Sequence, residues 1–156
     1  LKGFDVMDLS RLIQVALSHP IHVPLTHFPI GLAHVSALLA ALSLFFAWRK
    51  NAEQTTFFSK ALFYDLILLI VSIFPAMATG MLENQTRYNG IAPNAPLKIM
   101  FGATLLLIAV VLAVWRWRNP NVMQSRAGLV VFVLCSVCAA LTITLGFLGG
   151  IIVWGA

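Results

Sequence analysis

The sequence predicts an all-α fold, an integral membrane four-helix bundle preceded by a short N-terminal amphipathic arm. Three observations carry that expectation. Apolar residues make up 60% of the 156 positions and charged residues only 10%, against roughly a quarter charged in soluble domains. The ten basic and five acidic residues fall in clusters that leave four apolar stretches, and an apolar helix needs about 20 residues to cross a bilayer core. The stretches run from Val23 to Trp48, Leu66 to Leu82, Ile99 to Trp115 and Ala127 to Ala156, and a mean hydropathy of +0.94 agrees with them.

The N-terminal arm, residues 1–22, contains DVMDLSRLIQVALSH, with Leu9, Leu12, Ile13 and Leu17 near helical spacing. Such a pattern predicts a short helix lying on the outer membrane face or against a partner. Leu1 is not a start methionine, so a short preceding stretch is expected. The four-helix domain follows over 23–156. Its first helix, 23–48, opens among Pro20, Pro24 and Pro29; Pro24 suits a first turn, whereas Pro29 should bend a helix already under way. Gly31, Ala33, Ala37, Ala40 and Ala41 give that helix surfaces for close packing. It is too long for a signal-peptide core, and three further spans follow it.

The second helix, 60–82, reaches full length only by admitting Asp65. An ionised carboxylate is costly in lipid, so Asp65 should lie near the interface or face the bundle, with Lys60 as a plausible partner. Pro75 and Gly80 loosen the far half. The connection ENQTRYNGIAPNAPLK, 83–98, is polar and turn-rich and long enough to fold over the bundle mouth. The third helix, 97–117, is aliphatic, can extend through snorkelling Lys98 or Arg116, and ends in WRWRNP. The fourth, 127–154, carries Cys135 and Cys138 on one face. A thiol pair inside a membrane helix lacks the exposed helix N-terminus that lowers a thiol pKa, and no haem-attachment histidine follows Cys138, so packing is expected. LTITLGFLGG near its end offers a surface that another backbone or a flat ligand can approach closely.

In a soluble protein a net charge of +5 would suggest nucleic acid. Here the basic residues read as topology signals and no nucleic-acid partner is expected. Arg49, Lys50, Lys60, Arg116, Arg118 and Arg126 border the first and third connections, against Lys2, Arg11, Arg87 and Lys98 on the other side. The positive-inside rule therefore turns both termini and the 83–98 connection outward. Trp48, Trp115, Trp117 and Trp154 suit interfacial anchors.

All four histidines fall within HPIHVPLTHFPIGLAH, 19–34. His27 and His34 are seven residues apart, so they share a helix face with His34 about 10 Å deeper. Three readings are open. A b-type haem would take His27 or His34 as axial ligand, with Met77, Met81 or Met100 as a thioether partner and Arg87 beside a propionate. A metal would use His19, His22 and Glu83. In the third reading the polar groups simply satisfy one another. His27 then meets Glu83 or Asn84, and His34 meets Thr79, Ser72 or Thr142 across the bundle. Asn84, Lys98, Gly149 and Gly150 complete the same mouth as structural or partner contacts.

HPIHVPLTHFPIG at 19–31, TGMLEN at 79–84 and GFLGGIIVWG at 146–155 together resemble the DUF2231 family of predicted bacterial membrane proteins. The resemblance covers nearly the whole chain and implies four membrane helices in a bacterial inner membrane. It further implies surroundings of membrane electron transfer, because modules of that family occur with Rieske or cytochrome domains. The chain departs from the pattern in offering Lys98 where many members carry a further histidine, and IIVWGA where many have a charged or histidine-bearing tail. The expectation is a non-catalytic accessory or anchoring subunit of a membrane electron-transfer complex, touching other redox subunits, lipid or quinone. A haem b electron carrier is the alternative. No independent enzymatic activity is expected, since no activated nucleophile accompanies the histidines.

Overall fold

The computed structural model describes residues 22–92 and 94–154. It contains α1 (His22–Trp48), α2 (Ala52–Tyr88), α3 (Ala95–Arg118), a 3-10 turn (Val122–Gln124) and α4 (Ala127–Trp154), with no strand among the described residues. All four helices are long and apolar enough to cross a membrane. The chain is an all-α, multi-pass membrane bundle. The arm assigned to residues 1–22, with His19, lies outside the described residues, and His22 enters only as the first residue of α1.

The helices run up and down in sequence. α1 packs on α2 and α4, and α3 packs on the same two, a closed square of the kind short connections impose. Leu62, Leu66 and Leu69 of α2 meet Leu105 and Leu112 of α3 and Val131 of α4 in the buried core. Ala33, Ala40 and Ala109 are fully buried. Small side chains at such positions let helices approach closely, which in lipid replaces the hydrophobic driving force available in water.

α2 begins at Ala52 rather than near 60, and ends at Tyr88 rather than near 82. Its 37 residues span about 55 Å at 1.5 Å per residue, well beyond a ~30 Å hydrocarbon core. Counting charges finds only the part that lipid can cover, while the helix continues through polar ends. At its start the Asn51 side chain accepts from the Gln54 N–H at 3.1 Å, with Glu53 in the first turn, a favourable pairing of cap and dipole. At its finish, residues expected to fold over the mouth are still helical, and the link contracts to 89–94. Asn89 (φ 49°), Gly90 (φ 82°) and Asn94 (φ 58°) make it, all left-handed, where asparagine and glycine are least strained. Asn84 fastens the link twice: its carbonyl accepts from the Gly90 N–H at 2.9 Å and its Oδ1 from the Ala92 N–H at 2.9 Å.

One end of the bundle, which carries the α1–α2 and α3–α4 connections, is closed. The 3-10 turn tucks beneath the helices with Val122 and Met123 buried. Gly128 permits this: a Cβ there would stand 2.9 Å from the Met123 carbonyl oxygen. Buried polar groups toward this end are tied between helices. The Ser36 hydroxyl of α1 donates to Asp65 Oδ2 at 2.6 Å. The Ser43 hydroxyl donates to the Thr55 carbonyl at 3.1 Å. Arg116 Nε of α3 donates to Ser59 Oγ at 2.6 Å and to the Ser59 carbonyl at 3.2 Å.

Two expectations change accordingly. Asp65 faces the bundle, but its partner is Ser36 and not Lys60, which is exposed. Arg116 is buried and holds α3 to α2 instead of snorkelling. Cys135 and Cys138 are both buried, free thiols within the core.

Candidate functional site

At the opposite end the helices separate around a cavity of about 450 Å³, within the ~300–1,000 Å³ usual for small-molecule sites. All four helices contribute. α1 supplies Thr26, His27, Pro29 and Ile30; α2 supplies Ile73, Ala76, Met77, Gly80, Met81, Glu83, Asn84 and Tyr88; α3 supplies Ala95, Lys98, Gly102 and Leu105; α4 supplies Thr142, Gly146, Gly149 and Gly150. The wall is mostly apolar, with His27, Glu83, Asn84 and Lys98 as its principal polar groups.

Much of the space exists because side chains are missing. A Cβ built on Gly102 or Gly150 would meet nothing within 4 Å. On Gly149 its nearest neighbour would be Lys98 Nζ, at 4.0 Å. The Lys98 side chain therefore runs from α3 across to α4, half-buried. Gly102 is the feature the sequence reading passed over. Its signal was one glycine in the otherwise bulky run IMFGATLLL.

The structure brings His27, Glu83, Asn84, Lys98, Gly149 and Gly150 to one cavity, and it separates His34 from them. α1 leaves the cavity wall after Ile30, because one turn deeper Ala33 and Ser36 are buried against the neighbouring helices. His34 instead faces outward, and its Nδ1 lies 2.7 Å from the Ile30 carbonyl. A carbonyl only accepts, so Nδ1 carries the proton. The cross-bundle partners proposed for it are also engaged elsewhere: Ser72 donates to Leu69 O, Thr79 to Pro75 O, and Thr142 to Ala139 O, each within its own helix.

His27 has no hydrogen bond to Glu83 or Asn84 among the described residues. Glu83 pairs with Arg87 one turn on, at 3.6 Å, and Arg87 does not line the cavity. Among the described residues, no group of three or more histidine, cysteine, aspartate or glutamate side chains could hold a metal ion. Met77 and Met81 line the cavity with His27, whereas Met100 does not.

Fold and site define a class: a multi-pass four-helix membrane protein with an apolar, glycine-walled pocket opening at one end of the bundle. Residues 18–156 match the family model described as a predicted membrane protein, DUF2231, and the chain belongs to that family. No curated protein and no solved structure matches it.

Proposed function

We propose that the chain is a non-catalytic accessory subunit of an electron-transfer complex in the bacterial inner membrane, with its cavity serving as a binding pocket for a membrane-borne ligand such as lipid or quinone. The cavity itself is the observation that carries the binding role. An apolar pocket with a few convergent polar groups is the usual form of a small-molecule site, and here it opens between helices that otherwise pack tightly. The electron-transfer setting rests on the family resemblance. The excess of basic residues at the closed end supports an arrangement with that end in the cytoplasm and the cavity mouth toward the periplasm.

One observation favours a second reading, a b-type haem carrier. His27, Met77 and Met81 line the same cavity, and imidazole and thioether are both established ligands of haem iron. The donor set fits: His27 would hold the iron from α1, a thioether from α2 would complete it, and Lys98 would face a propionate. When bound, the haem would supply one-electron transfer.

A reduced-minus-oxidised absorption spectrum of the gently purified assembly tests both readings. The accessory reading expects redox subunits to co-purify with this chain and no haem signal that depends on His27. A near-stoichiometric b-type signal that disappears in His27→Ala decides for the carrier. A preparation with neither redox subunits nor haem removes the electron-transfer role.

A further inference from the structure

Lys98 gives the cavity a chemical preference. Its ammonium lies half-buried at the mouth, with no hydrogen-bond partner among the described residues. Glu83 attracts it electrostatically, but from beyond ion-pair distance, and the Glu83 carboxylate is already in contact with Arg87 at 3.6 Å. Among the described residues, Lys98 is thus the surplus cation of the mouth. A lysine that merely snorkelled would run along its own helix toward water. This one crosses to α4, where its Nζ lies 4.0 Å from the position a Cβ would take on Gly149. Below the ammonium the wall is Ile73, Met77, Leu105 and Leu145, with the gap left by Gly102.

We infer that the cavity binds an anionic amphiphile, with a carboxylate or phosphate head on Lys98 and an apolar chain along the glycine-lined wall. This inference rests on the reading of the cavity as a ligand site and adds the class of ligand. A charge-assisted contact in a half-dry site is about twice as strong as a neutral one, whereas a head without charge leaves the ammonium desolvated and unpaired. A membrane phospholipid and a free single-chain acid both present this chemistry.

The test is binding of defined lipids to the intact purified chain in a neutral detergent, measured by calorimetry. The probes are a single-chain phosphate, a single-chain carboxylate, a two-chain phosphatidic acid and an uncharged monoacylglycerol of equal chain length. At least one anionic probe should bind about tenfold more tightly than the uncharged one, the effect of one charge-assisted contact. Lys98→Gln should erase that preference and Lys98→Arg should retain it, with both variants confirmed as folded by their thermal transitions. Tighter binding of the two-chain lipid identifies a membrane phospholipid as the source, and tighter binding of either single-chain probe identifies a free acid. Equal binding of charged and uncharged probes, or a preference that survives Lys98→Gln, overturns the inference while leaving the cavity as a ligand site. Failure of every probe to bind overturns both the inference and the reading of the cavity as a ligand site.

Discussion

The two ends of the bundle are built from the same four helices and treat polar and small residues in opposite ways. From the closed end up to mid-bundle the buried polar side chains Ser43, Ser59 and Arg116, and then Ser36 and Asp65, are joined into contacts between helices. At the mouth, the His27 and Lys98 side chains have no hydrogen bond among the described residues although both line the cavity. Glycine divides the same way. Gly128 lets two backbones meet, while Gly102 faces open space. A membrane bundle cannot rely on expelling water to close its helices, so interlocked polar contacts and close backbone approach fasten one end. The other end leaves the His27 and Lys98 side chains and the space beside Gly102 outside such contacts, which is what a ligand site requires.

The largest effect should come from breaking the closed end at Gly128. In Gly128→Ala the new methyl group would sit 2.9 Å from the Met123 carbonyl oxygen and 3.1 Å from its Cα, against backbone that cannot rotate away. The expected loss is about 3 kcal/mol, as for overpacked cores, read as a lower unfolding midpoint in detergent. An unchanged midpoint would show that the 3-10 turn is not clamped against α4.

A smaller loss should follow at Ser36. Its hydroxyl is the donor to Asp65 Oδ2, about 20 Å along α2 from the helix start, and both residues are buried. Ser36→Ala leaves the carboxyl without that donor and should cost about 2 kcal/mol, the penalty for an orphaned buried acceptor. Replacing both groups, Ser36→Ala with Asp65→Leu, should recover part of this, since an apolar pair of similar shape avoids the penalty. A double variant no more stable than Ser36→Ala would argue that Asp65 has a second role in the bundle.

What was legible in the sequence follows from what lipid does to a pattern. The apolar stretches located the four helices because a span must be uncharged over a fixed length, and α1 and α4 were placed to within a residue or so. The inward face was not legible. In water a helix is apolar on one side, but here Phe28, Leu38, Leu68 and Leu107 face outward while Leu62 and Leu112 face in. Nothing in such composition says that His34 turns away from the cavity that His27 lines. Arg116 was misread for a related reason: a basic residue at a span end carries the same sequence signal whether it reaches for water or for Ser59. The polar mouth residues were easier, because alternation of helix direction alone brings Glu83, Lys98 and Gly149 to one end.

The sharpest comparison is the same chemical change made at the other glycine. A methyl group on Gly102 meets nothing within 4 Å, so Gly102→Ala creates no clash and removes the conformational freedom that makes glycine a poor helix former. Stability should rise, by up to about 1 kcal/mol, where Gly128→Ala lowers it. The added methyl also occupies cavity space, so ligand affinity should fall even as the unfolding midpoint increases. Opposite signs in stability and binding from one substitution would mark Gly102 as a residue whose intrinsic cost maintains the pocket. If stability instead fell as it does at Gly128, the mouth would be packed as tightly as the closed end, and the contrast between the two ends would have no basis.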